Sequence, residues 1–132
     1  MYFLDTNILI YYLKGLHGVR DSLHKHKLST YKVPAIVKAE LLAGAYKSNK
    51  RVDTLEKAND LLSHFEIIPF DDSATVLFAE IKSTLEAKGI IIGSYDLVIA
   101  ATVLSRNGIL ITNNTKEFNR VDDLNIKNII EE

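Results

Sequence analysis

The chain has 132 residues, 47% of them apolar, and a formal charge of −1, the profile of one ordinary globular domain and not of a disordered segment. It contains no cysteine, which excludes a disulfide framework and a thiolate metal centre and suits the cytoplasm. No apolar run reaches membrane-spanning length and no basic segment precedes Tyr2, so neither an anchor nor a signal peptide is expected.

Tyr2-Phe3-Leu4 reads as a short buried strand, with Asp5 at its carboxyl end and Thr6 or Asn7 opening a helix that includes Leu9, Tyr12, Leu13 and Leu16. An Asp in that place either caps the helix or points into the crevice where open α/β sheets bind ligands. Val19–Lys27 is expected to be a short basic helix. His24 and His26 stand two residues apart among lysines, a spacing that shares no helix face, and read as solvated. Between Lys14 and Arg51, nine Lys and Arg stand against Asp21 and Glu40. Such a stretch is either a contact for a polyanion or a set of solvated helix faces.

Tyr31-Lys32-Val33 reads as a second strand, and Pro34 suits the first position of the next helix. Within that helix Glu40 has Ile36, Ala43 and Gly44 on its face, a poor setting for an unpaired carboxylate. Its partner is a basic side chain or a metal ion, and the sequence leaves both open. A polar connector at 47–51 leads to an amphipathic helix that buries Val52, Leu55, Ala58, Leu62 and Phe65. Glu66–Phe70 is a third strand. Asp71, Asp72 or Ser73 then caps a helix with the stripe Ala74, Leu77, Phe78, Ile81 and Leu85, and Gly89 suits its end.

Ser94 suits an N-cap for a helix through Ala101 that is apolar nearly all round, with Asp96 in its first turn. Ile109-Leu110-Ile111 is a fourth strand, and Thr112–Thr115 occupies its carboxyl end. Asn128-Ile129-Ile130 is expected to be the last strand. Strands alternating with helices, with no hairpin signal, predict a doubly wound α/β/α sandwich around a parallel sheet of about five short strands.

This topology can bring Asp5, Glu40, Asp96 and Asn114 to one crevice. Carboxylates gathered there repel one another unless a cation neutralises them. The donor set is all oxygen, which selects Mg²⁺ or Mn²⁺ over Zn²⁺. Carboxylate-held Mg²⁺ is suited to hydrolysing phosphodiesters with activated water.

Four segments carry a family resemblance: Leu4-Asp5-Thr6-Asn7; Ala39-Glu40-Leu41 with Gly44; Ile92–Ala101; and Leu110–Phe118. In order and spacing the chain resembles the PIN-domain ribonucleases, and within them the VapC toxins of type II toxin–antitoxin modules. The resemblance implies a single PIN domain over 1–132 and a Mg²⁺-dependent endoribonuclease that cleaves structured RNA, tRNA being the expected class. It also implies a cognate antitoxin, a homodimer and a cytoplasmic setting. Asp5 and Asp96 match the principal metal ligands. Glu40 matches the third acid, which binds metal directly or through water. Thr6, Asn7, Ser94 and Thr112 fall at pocket-lining positions. Asn114 departs from the pattern, since many PIN domains carry a fourth acid there, and Glu117 is the nearby acid that could offset it. Lys14, Lys38, Lys47, Lys50 and Arg51 are the expected phosphate contacts.

A second class of reading is a receiver-type regulatory module with an acidic pocket, for which Asp71 or Asp72 would be the phosphoacceptor. Against it, Asp5 lacks a neighbouring acid, and the expected last strand is followed by Glu131 and Glu132 with no lysine. A haloacid-dehalogenase-like phosphatase would need an acid where Asn7 stands.

Overall fold

Short strands alternate with helices through residues 1–130, the part of the chain that the computed structural model describes. β1 (Tyr2–Leu4) is the middle of a five-stranded parallel sheet. On one side it pairs with β2 (Tyr31–Pro34), which is followed outward by β3 (Glu66–Ile68). On the other it pairs with β4 (Ile109–Ile111), followed by β5 (Asn125–Lys127). The register sets Leu4 opposite Ile111, and Ile111 opposite Lys127. The inner strands β1 and β4 are covered on both sides, which explains why they read as unbroken apolar runs, whereas the edge strand β5 is exposed at Asn125 and Lys127.

The chain moves from β1 to β3 through α1 (Thr6–Lys14), α2 (Val19–Leu23), α3 (Ala35–Tyr46) and α4 (Arg51–Leu62). It returns to β4 through α5 (Asp72–Ala87) and α6 (Ser94–Ser105), and a single turn, α7 (Thr115–Phe118), leads to β5. Right-handed crossovers put the first four helices on one face of the sheet and α5 and α6 on the other. The helix contacts agree: α1 touches α2, α3 and α4, whereas α5 packs along α6. Phe3, Ile8, Val37, Ile99, Leu110 and Phe118 are fully enclosed between these layers. α6 is buried along most of its length, as expected of a helix without a polar stripe.

Several boundaries differ from the sequence expectation. Gly15 adopts φ 66° and returns its N–H to Tyr11 and Tyr12, so α1 stops early and Leu16 lies beyond it, exposed. The basic helix at 19–27 is only Val19–Leu23. Pro34 completes β2 and precedes α3 instead of opening it. In α4 the buried set is Ala58, Leu61 and Leu62, while Val52, in the first turn, is 81% exposed. Leu77, Phe78 and Ile81 are only half-buried, because α5 is an outer helix resting on α6. The last strand is Asn125–Lys127, not 128–130. It therefore ends on a lysine, which removes one of the arguments raised above against a receiver-type module.

Gly108 sits where β4 begins. A Cβ there would run into the ring of Phe3 and crowd the carbonyl of Met1. Phe3 is fully buried and cannot retreat. Gly108→Ala should therefore cost about 1–3 kcal/mol through overpacking, read as a lower midpoint in urea unfolding. A midpoint equal to wild type would show that the Phe3 ring has room to move.

Candidate active site

Strand order reverses at β1 and β4, and the crevice beyond the carboxyl ends of such a pair is where a doubly wound sheet offers a binding site. Asp5 is the first residue past β1. Its N–H extends the ladder to the Ile111 carbonyl at 3.0 Å, and the residue is buried, only 5% exposed. The Thr6 N–H donates to Oδ1 at 2.8 Å, and the Thr112 hydroxyl donates to Oδ2 at 2.6 Å. Thr112, itself wholly buried, accepts the Asn114 N–H at 3.0 Å. Asp5 is thus both the N-cap of α1 and a carboxylate fixed at the switch point.

Three more acids face this position. Glu40, in the second turn of α3, accepts the Thr6 hydroxyl on Oε1 at 3.0 Å. Asp96 lies in the first turn of α6 and, with Glu40, Gly93, Ser94 and Tyr95, lines an open cleft. Glu117, on α7, accepts the Gly93 N–H at 2.9 Å and the Asn114 amide at 3.4 Å. A Cβ on Gly93 would stand 3.7 Å from Asp96 Oδ2 and 3.8 Å from Glu117 Oε1, so both carboxylates reach the same backbone turn.

The electrostatics bind the four together. Burial pushes the Asp5 carboxyl up, against the lowering effect of its bonds from Thr112 and Thr6. Burial also raises Glu40, opposed by Thr6 and reinforced by the charge of Asp5. Asp96 is pushed up to about 6, by desolvation first and then by the charges of Asp5, Glu117 and Glu40. Burial is the common cause, and the charge of Asp5 adds to it at Glu40 and Asp96. Among the described residues no three His, Cys, Asp or Glu are drawn together into a metal-holding group, so the acids sense one another's charge across the cleft without forming a closed cage. The donor chemistry nonetheless fits a hard divalent cation: oxygen atoms only, with an excess of negative charge.

Of the residues anticipated from sequence, Asp5, Thr6, Glu40, Asp96, Thr112 and Asn114 are connected through these bonds and charges, and Ser94 lines the cleft, exposed. Asn7 is exposed and makes no side-chain hydrogen bond among the described residues. Lys14 lies on an apolar groove that Glu40 also borders. Lys47 follows Glu40 by seven residues and so shares its side of α3. Lys38, half-buried, is rotated to nearly the opposite side. Lys50 and Arg51 border a shallow hollow at the α3–α4 turn, where Arg51 donates to the Tyr46 carbonyl. Gly93 and Tyr95 belong to the Ile92–Ala101 segment but are not among the site residues anticipated from it; both line the cleft. Asp71, the other candidate acid, caps α5 through the Ala74 N–H and pairs with Arg106 at 3.1 Å; these bonds, the Ala74 N–H foremost, hold its carboxyl below the usual range.

The chain is similar in sequence and fold to known proteins. The family model of the PIN domain matches residues 2–124, and the chain belongs to the PIN-domain family. Ribonuclease VapC2 of Rickettsia felis is 38% identical over 97% of both chains. The tRNA(fMet)-specific endonuclease VapC of Salmonella typhimurium is 30% identical over 96% of both. The crystal structure of VapBC2 from Rickettsia felis, bound to a DNA fragment from their promoter, superposes with a TM-score of 0.88 at 37% identity, covering 96% of this chain and 97% of that one. No helix among the described residues is long and apolar enough to cross a membrane.

The raised Asp96 carboxyl makes stability depend on pH. The folded protein keeps this proton up to about pH 6, whereas the unfolded chain releases it near 3.8. Asp96 therefore withdraws stability as pH rises from about 4 to about 6, after which its effect is level. Asp96→Asn should flatten that decline and raise the melting temperature near neutral pH in the presence of chelator. Thermal melts across this range check it. A variant that melts below wild type at neutral pH would show that the Asp96 charge is structural.

Proposed function

We propose that this protein is the toxin of a type II toxin–antitoxin pair, a divalent-metal-dependent endoribonuclease that cleaves structured RNA, with tRNA the favoured class. The observation that carries the reading is the gathering of Asp5, Glu40 and Asp96 about a single open crevice, each carboxyl raised first by burial and the last two also by neighbouring charge. Family membership and the printed activities of its relatives support it. Mg²⁺, with Mn²⁺ the alternative, would be held by Asp5 and Asp96, with Glu40 joining directly or through water. When bound, it supplies Lewis-acid activation of water and stabilises charge on the attacking and leaving oxygens.

The chain's own residues position these groups. Thr112 and the Thr6 N–H lock both oxygens of Asp5, so this ligand is oriented before substrate arrives. Thr6 fixes one oxygen of Glu40, which orients the attacking water and accepts its proton. Asn114 brings no charge; its amide steadies Glu117, the acid that supplies the fourth charge. Lys14 and Lys47 flank the Glu40 side and contact phosphate. The active assembly is a homodimer in the cytoplasm.

The same geometry accounts for inhibition. Ile10, Leu13, Leu41, Ala45 and Ala58 line an apolar groove between α1, α3 and α4, and Glu40 stands at its border. An antitoxin helix seated in this groove would deliver an Arg or Lys to Asp5, Glu40 and Asp96, offsetting their repulsion.

Incubating the purified protein with total tRNA decides the activity. Cleavage should require Mg²⁺, stop in chelator, and fall at least about a hundredfold in Asp5→Asn and in Asp96→Asn, a loss of roughly 2.7 kcal/mol in transition-state stabilisation. Undiminished cleavage in excess chelator would defeat the metal mechanism. For the antitoxin, Leu13→Glu should weaken inhibition at least about tenfold while sparing RNA cleavage. Equal inhibition of both proteins would place the partner elsewhere.

A further inference from the structure

A second cavity, of about 340 Å³, opens between α2 and the β4–β5 edge of the sheet. Its walls hold Lys25, His26 and Lys127 together with Tyr2 and Tyr31, and no carboxylate is among its described lining residues. The rings of Tyr2 and His26 flank the cavity, and the buried Tyr31 packs behind them. Tyr2 and His26 are near-parallel, 23° apart in plane with centroids at 6.4 Å, and Tyr31 stands 6.2 Å from Tyr2 and 6.4 Å from His26. Lys127 Nζ lies over the Tyr2 ring at 5.8 Å. Neither Lys25 nor Lys127 takes part in an ion pair among the described residues.

This cavity adjoins the acidic crevice through the backbone. Lys127 accepts the Thr112 N–H on its carbonyl at 3.0 Å, and Ile111, another lining residue, accepts the Asp5 N–H. Thr112 is the residue whose hydroxyl holds Asp5. A cleft with four acids repels a phosphate backbone, so the cations that hold a nucleic acid must lie beside the cleft and not within it. Two lysines next to a ring surface supply what a single-stranded nucleotide requires: charge for its phosphate and flat faces for its base.

We propose that the α2–β5 cavity is a subsite for one nucleotide of the RNA substrate, its phosphate at Lys25 and Lys127 and its base against Tyr2 and His26, with the buried Tyr31 backing those two rings. This rests on the ribonuclease reading above. The cavity's size suits one such unit. The subsite anchors the strand next to the scissile position and takes no part in bond cleavage.

The test is steady-state cleavage of total tRNA by Lys25→Ala/Lys127→Ala, two exposed positions outside the acid cluster. KM should rise about tenfold with kcat unchanged. In an Asp5→Asn background, binding of a short fluorescent oligoribonucleotide should lose about 1–2 from its log–log salt slope when both lysines are removed. Tyr2→Leu, which keeps an apolar wall, should weaken binding without altering that slope. Wild-type cleavage with KM and salt slope unmoved in the double variant overturns the subsite and leaves the ribonuclease standing. So does a double variant that loses antitoxin affinity while its RNA constants hold. A wild type that neither cuts nor binds RNA defeats both readings.

Discussion

The bond from the Thr112 hydroxyl to Asp5 joins the two strands at which the sheet changes direction, and both residues are buried. A carboxylate placed in such surroundings is costly unless its charge is answered. Here one oxygen is answered by a backbone N–H and the other by a hydroxyl, leaving the charge directed at the crevice. Every other acid in the site is positioned relative to this one. Glu40 is reached through Thr6, the next residue along. Asp96 feels Asp5 as its largest charge neighbour. Glu117 is steadied by Asn114, whose own N–H returns to Thr112.

Much of this was legible in the chain. Asp5 follows an apolar triplet, Glu40 interrupts an apolar helix face, and Asp96 opens a helix too apolar to lie on the surface. Each is a charged residue where burial is otherwise expected, and period and position suffice to notice it. Glu117 was harder, because it belongs to a four-residue turn and acquires its role from Gly93 and Asn114, contacts that no local pattern encodes. The last strand shows another limit. Asn125-Ile126-Lys127 and Asn128-Ile129-Ile130 repeat the same pattern, and the more apolar copy is the better strand by propensity. Pairing of Ile126 with Leu110 selects the first copy. Val52 also matches the helical period, yet in the first turn of α4 it is exposed, because period alone does not say which turns of a helix are covered.

Charge is distributed so that opposite tasks are kept apart. The crevice concentrates carboxylates, while the cations stand on either side of it, at the α1–α3 border and beside β5. The strand that carries Lys127 into this arrangement also hydrogen-bonds to Thr112, so the cation and the acids share one rigid support. His26 reads as a solvated residue in sequence, yet its ring lies against Tyr2 and Tyr31.

The hydrogen bonds of the site also differ in how much chain they span. Thr6 and Glu40 are 34 residues apart, Gly93 and Glu117 are 24, and Thr112 and Asp5 are 107. Asp5 leaves the ribosome well before Thr112, and its carboxylate has no hydroxyl partner until the fourth strand has emerged and paired with the first. An incomplete nascent chain therefore lacks the assembled acid cluster.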